Sequence, residues 1–290
     1  MTVLSTSLHV PVATAAASIA KTIVVNPSGT GDFRSVQEAV NSVPDYNNQW
    51  IKIHLASGVY RGEGGDRRYK SYILLEGEGA QKTSIEWGDY ASDSRGHDTA
   101  SCGTFTSYAS NIVVAGITFK NTYDGYSHTK QAVAALIAGD KSSLYSCGFV
   151  GYQDTLADLF GRHYFKGCYI QGVTDFIFGL GQSIYEGCTI STANSVEKPG
   201  FVTAQGRGAA NDTNGFVFKR CNVTGPQATY LGRAWGRNEI TYAESECTGP
   251  GSKQSGRVRW KKTLTSDELR KFTDISYIDG EGWLGEQPQY

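Results

Sequence analysis

A cysteine-headed tripeptide that returns every twenty residues or so constrains this chain more than any other feature. Cys147-Gly-Phe149 and Cys168-Tyr-Ile170 begin 21 positions apart, Tyr185-Glu-Gly-Cys188-Thr-Ile190 brings the next Cys 20 later, and Phe218-Lys-Arg-Cys221-Asn-Val223 follows a longer insertion. Self-similarity at such a period marks a solenoid, in which each unit stacks on the one before because alone it cannot bury its apolar side. The repeated pieces are short, β-branched or aromatic, and punctuated by Gly, so each unit reads as strands and turns rather than a helix pair. The expected fold is all-β, a parallel stack of coils about 4.8 Å apart.

The same period carries acids. Asp154 and Asp175 each stand seven residues after a Cys of the repeat, 21 positions from one another, and Gln131 precedes Gln153 by 22. Stacking therefore gathers two carboxylates and two carboxamides on one side of the molecule. Two neighbouring carboxylates resist double ionisation, so one tends to keep its proton while the other stays charged. A carboxylate can attack an ester carbonyl when the oxyanion is stabilised and the departing alcohol is protonated. Plainer uses compete with this one: an Asp at a turn often bonds nearby backbone, and Gln ladders can simply stabilise stacked coils. Two carboxylates also suit glycoside hydrolysis, but glycosidic cleavage needs no two-donor oxyanion site, and acyl transfer does.

Four segments, Gln131-Ala-Val-Ala134, Gly151-Tyr-Gln-Asp-Thr-Leu156, Asp175-Phe-Ile-Phe-Gly179 and Leu231-Gly-Arg-Ala-Trp235, resemble in that order the motifs of plant pectin methylesterases. The likeness runs from Thr22-Ile-Val-Val25 to Gly282-Trp-Leu284. It implies a right-handed parallel β-helix, and an aspartyl esterase that removes methyl esters from cell-wall homogalacturonan and releases methanol. By the same resemblance Asp175 is the nucleophile, oriented by Arg233. Asp154 is the proton donor and then the base, and Gln153 and Gln131 serve the oxyanion. Trp235 offers a face to a sugar ring, and Thr99 matches a substrate-binding threonine. Of Phe176 and Phe178, one is expected to face the core and Phe178 to line the cleft. A disulfide between Cys168 and Cys188 is implied, and neither cofactor nor metal. The implied partners are methylesterified pectin and a proteinaceous pectinesterase inhibitor, with the chain a monomer secreted to the plant cell wall.

The chain departs from the family pattern in places. Leu136 stands where the family has Arg, Ala234 where Pro is commoner, and Glu63 comes one position late after Gly58-Val-Tyr60. After Trp235 the chain passes through Gly-Arg-Asn-Glu-Ile to Thr241 with about one coil fewer than usual. A solenoid can restack across such a loss, but here it falls beside the cleft. A second reading therefore stands next to the esterase: a β-helix of weak or no activity that binds pectin or a regulator.

Residues 1–20 are apolar and small and carry no Lys or Arg, which leaves a degenerate signal peptide or a disordered leader ahead of a single domain over 21–290. A net charge of -1 predicts no strong field, which argues against nucleic acid as a partner. No run approaches the roughly 18 apolar residues of a membrane span. Asn211-Asp-Thr213 and Asn222-Val-Thr224 are sequons usable in a secreted protein. The six cysteines permit disulfides, although those of the repeat read mostly as small buried residues stacked in successive coils. Apolar positions at Phe33, Val36, Val40 and Val43 predict a helix over the open end of the stack, and Thr265-Ser-Asp-Glu268 has the capping-box pattern for a short helix at the other. Segments 111–119 and 132–137 read as strands. His54, His97, His128 and His163 have no metal-ligand spacing and read as surface or packing residues.

Overall fold

The computed structural model describes residues 17–62, 64–66, 69–196, 200–236, 238–259 and 261–290. The leader up to residue 16 and Glu63 lie outside them. Ala17 and Ile19 already pack beside Trp50 and Leu74.

The period found in the sequence is the register of the structure. Leu144 pairs with Phe165, Phe165 with Tyr185 and Tyr185 with Phe218, all in parallel. Each full coil contributes one strand to each of three sheets. Sheet 1 has nine strands, from Lys21–Val25 to Tyr242–Ser245. Sheet 2 has seven, from Gly58–Arg61 to Asn222–Thr224, and sheet 3 has seven, from Gly64–Asp66 to Thr229–Ala234. The fold is a right-handed parallel β-helix, the hand that parallel crossovers adopt.

The corner from sheet 1 to sheet 2 explains the cysteines. Gly116, Ser146, Gly167, Gly187, Arg220 and Glu246 take φ values of 64°, 51°, 64°, 62°, 54° and 54°. This left-handed conformation costs least for Gly. It divides 111–119 into two strands, Ile112–Ala115 and Thr118–Asn121. The next residue of each corner turns inward, and Ile117, Cys147, Cys168, Cys188 and Cys221 are buried. All six cysteines are free thiols, so the implied Cys168–Cys188 bridge is absent. Equivalent side chains of a parallel ladder point the same way, so successive thiols stack within hydrogen-bonding reach of one another without a covalent bond. Each thiol is directed at a carbonyl of the preceding coil, Cys168 Sγ to Leu144 O at 3.4 Å and Cys188 Sγ to Phe165 O at 3.5 Å. Burial pushes both thiols well above their ordinary range.

Beside this column runs an aromatic one, in which Phe165 stacks on Tyr185 at 4.6 Å and Tyr185 on Phe218 at 5.1 Å. Each such buried ring contributes roughly 1.5–3 kcal/mol. His163 lies wholly inside. Its Nδ1 is 2.6 Å from Asp158 Oδ1 and its Nε2 is 3.0 Å from Gly139 O, while Tyr185 donates to Asp158 Oδ2 at 2.6 Å.

Helix α1 (Val36–Ser42) starts at Ser35, whose hydroxyl and the Glu38 carboxylate form a capping box, and buries Val36, Ala39 and Val40. These join Ile23 and Val25 in the core and close the N-terminal end. Helices α2 (Ser266–Thr273, capped by Thr265 and Glu268) and α3 (Ser276–Asp279) pack by the last coils on the outer face of sheet 1. There Ile278 and Trp283 cover Tyr164, Ile184, Val217 and Ala243. Where the sequence runs short of a coil, the next strand is Tyr242–Ser245, which pairs in parallel with Gly215–Lys219. The ladder continues without a break.

Candidate active site

The corner from sheet 2 to sheet 3 uses the same backbone device with a different outcome. Asp154 and Asp175 occupy it at φ 59° and 51°, a conformation that Asp tolerates better than most residues. Bridges from Gln131 to Gln153 and from Gln153 to Thr174 fix the register. Ala132 donates to Gln153 O and Asp154 to Thr174 O, each at 3.1 Å. Asp154 and Asp175 are thus consecutive rungs, one strand spacing apart along the stack, and only 5% and 3% exposed.

Their surroundings differ. Arg233 comes from the strand Thr229–Ala234, two rungs beyond Asp175 in the row Phe178, Ala204, Arg233. Its Nε donates to Asp175 Oδ1 at 2.8 Å and its Nη2 to Oδ2. This is the forked pairing that fixes a carboxylate in both charge and orientation. The guanidinium also lies 5.5 Å from the Phe201 ring, Phe201 stacks on Tyr230 at 5.3 Å, and the Tyr242 hydroxyl donates to Arg233 O at 3.0 Å. Asp154 has no such fork. Burial, and then the charge of Asp175, push its carboxyl up to about 7, against the opposing pull of a Gln131 hydrogen bond and of Arg233. Gln153, half-buried, shares the same edge.

Trp235 follows the Arg233 strand, its N–H bonded to Gln205 O at 3.0 Å. The indole rests on Gly206, where an added Cβ would come within 1.6 Å of its Nε1. It meets Phe178 edge-on at 6.2 Å and is 46% exposed. Phe176 is buried in the main core, whereas Phe178 belongs to a smaller apolar cluster with Cys102, Val133, Leu136 and Ala204. Leu136 is thereby spent on the floor beneath the cleft. Thr99 reaches the site indirectly: Cys102 Sγ contacts Thr99 O at 3.5 Å and Gln131 O at 3.7 Å, and Ala91 N donates to Gln131 O at 2.8 Å.

Sequence reasoning missed Phe201, Tyr230, Tyr242 and Gly206. Tyr230 adjoins the Leu231-Gly-Arg motif and was findable there; the others are brought in only by stacking. A pocket of about 250 Å³ lies elsewhere, between Pro27, Val36 and Tyr60, and among the described residues no carboxylate lines it.

One acid paired with a guanidinium, beside a carboxyl raised to about 7, is the asymmetry that acyl transfer to a carboxylate requires. Together with the fold it defines a β-helical carboxylic ester hydrolase. Residues 22–239 match the family described as Pectinesterase, and the chain belongs to that family. "Putative pectinesterase 10" of Arabidopsis thaliana is 41% identical over 306 aligned positions, covering 93% of this chain and 88% of that one. The solved "Pectin methylesterase from Carrot" superposes with a TM-score of 0.83 at 28% identity, over 93% of this chain and 97% of the other. A pectin methylesterase solved in complex with a hexasaccharide shares the fold, with a TM-score of 0.77 at 22% identity over 95% of this chain and all of that one. As a member of that family the protein is a carboxylic ester hydrolase.

Proposed function

We propose that the substrate is methylesterified homogalacturonan of the plant cell wall, and that Asp175 attacks the methyl ester carbonyl. One Asp175 oxygen bonds to the carbonyl carbon, and the oxyanion takes N–H bonds from Gln153 and Gln131. Each such donor is worth about 3–4 kcal/mol where one has been removed in other enzymes. The intermediate collapses by breaking the bond to the methoxy oxygen, which leaves as methanol with the Asp154 proton. Asp154, now a carboxylate, takes a proton from water as the water attacks the anhydride. Galacturonate departs, and Asp175 returns to its Arg233 fork.

The carrying observation is that Arg233 forks onto Asp175, while the carboxyl of Asp154 is held at about 7. That contrast supports the division of roles. The exposed Trp235 face and the Phe178 edge beside it support a sugar chain lying across the open side, as does the hexasaccharide held by the related structure. An alignment of 306 positions on a chain of 290 residues skips positions here, in keeping with the shorter turn after Trp235. We extend the proposal to secretion into the cell wall, to action as a monomer and to a proteinaceous inhibitor that covers the same open face. Among the described residues no helix is long and apolar enough to cross a membrane.

Methanol release from methylated pectin tests the reading, with reducing ends followed in parallel. Wild type should release methanol while reducing ends stay flat, and Asp175→Asn should lose at least about a thousandfold. An Asp175→Asn protein as active as wild type would remove the nucleophile from the scheme.

A further inference from the structure

Away from the two acids, the segment 88–104 brings three ligand-type side chains together. One donor atom each from Asp89, Asp93 and His97 lies within 4.8 Å of the other two. The segment is turns and coil rather than helix, so the spacing in the sequence gave no sign of the cluster.

Asp89 is 6% exposed. Its Oδ1 pairs with Arg95, but its Oδ2 is buried with no hydrogen-bond partner and faces His97 Nδ1 at 3.6 Å. A buried polar oxygen without a hydrogen-bond partner bears a desolvation penalty. Asp93 is held from behind: its Oδ1 accepts the backbone N–H of Arg95 at 2.9 Å and of His97 at 3.3 Å. That leaves its Oδ2 aimed at His97 Nδ1, 2.8 Å away. Nitrogen and oxygen donors that bind one ion at about 2.0–2.2 Å stand roughly 3.0–3.5 Å from each other, and the two observed separations bracket that range.

We propose that Asp89 Oδ2, Asp93 Oδ2 and His97 Nδ1 form a site for a first-row divalent cation such as Zn²⁺ or Mn²⁺. Two carboxylates and an imidazole suit these ions, whereas Ca²⁺ and Mg²⁺ favour all-oxygen shells. The ion binds between Nδ1 and the acids, and a proton carried on Nδ1 moves to Nε2 or is released as it binds. Arg95 is a competitor, because its guanidinium already holds Asp89 Oδ1, lies 3.8 Å from Asp93 Oδ2 and sits over the Trp87 ring at 5.9 Å. Its side chain is half exposed, which leaves it room to withdraw. Since Ala91 in the same segment donates to Gln131 O, the ion would brace the stretch of chain that backs Gln131. None of this depends on the roles proposed for Asp154 and Asp175.

Titration calorimetry of the EDTA-treated full chain with ZnCl₂ is the test. Wild type should bind one equivalent saturably, at least tenfold more tightly than it binds Ca²⁺. His97→Gln and Asp89→Asn should each weaken binding tenfold or more, and Arg95→Met should tighten it. Metal-free melting curves identify any variant that has lost its fold. If Asp89→Asn has, His97→Gln alone decides. Absence of saturable Zn²⁺ binding to wild type, or affinity unchanged in a folded His97→Gln, overturns the site and leaves an ion-paired clamp.

Discussion

Asp154 and Asp158 stand four residues apart on one coil, both buried, and only the first is chemically unsettled. Asp158 accepts from Tyr185 and meets His163 Nδ1, and the other nitrogen of that imidazole faces Gly139 O. Every polar atom of that node is answered within the core. Asp154 faces a second carboxylate instead, and the Arg233 guanidinium forks onto that neighbour. The contrast teaches that burial alone marks neither residue as functional. What separates them is whether the local field is closed, as at Asp158, or left short of a cation so that a proton stays in play.

The sharpest way to test the contrast is Asp154→Asn, with the largest expected effect. Methanol release should fall about 10²- to 10⁴-fold, the usual worth of a positioned acid. Stability should move the other way. The folded carboxyl is raised to about 7 against about 3.9 in an unfolded chain, so wild type loses stability as pH rises from about 4 to about 7. At 1.36 kcal/mol per unit the loss has an upper bound of roughly 4 kcal/mol. Asn escapes it, so urea melts should show the variant more stable than wild type at pH 8 and near-equal at pH 4. The same ionisation predicts that kcat/KM of wild type falls as pH passes through about 7. A variant equally destabilised at both pH values would mean that Asp154 is a packing residue like Asp158.

His163→Ala is the mirror experiment. It strands the Asp158 carboxylate in the core, and breaking a buried pair in this way costs about 3–5 kcal/mol. The remaining folded enzyme should turn over normally below its melting temperature. Activity lost without lost stability would draw the core node into catalysis and erase the distinction.

Arg233→Lys is milder. A point charge cannot reproduce the fork, and one charge-assisted bond, about 1.5–3 kcal/mol, corresponds to roughly ten- to hundredfold in kcat/KM. Smallest is Gly206→Ala, which lifts the Trp235 indole off its seat. KM for pectin should rise about two- to tenfold while kcat holds, an effect of the order of one weakened stacking contact. Unchanged KM would take Trp235 out of substrate binding.

Much of this architecture was legible in the chain itself. A solenoid is held by contacts between adjacent rungs, so a period written in Cys147, Cys168 and Cys188 fixes which residues become neighbours. Asp154 next to Asp175, and Gln131 next to Gln153, follow from spacing alone. The single strand expected over 111–119 failed at Gly116, because the period says that a corner occurs but not where its left-handed residue falls.

What the tertiary structure alone decided concerns side chains that reach past their nearest rung. Arg233 spans two rungs to choose Asp175 over Asp154, and the indole of Trp235 settles on Gly206. The C-terminal helices lie along the outer face of sheet 1, and the ladder thiols stay free within a column that also meets the carbonyls of the preceding coils. Asp89, Asp93 and His97 meet across an irregular turn that no periodicity describes. Repetition dictates the backbone ladder because every rung sees the same neighbour, whereas the direction of a long side chain is set by packing and charge summed over parts of the chain that share no period.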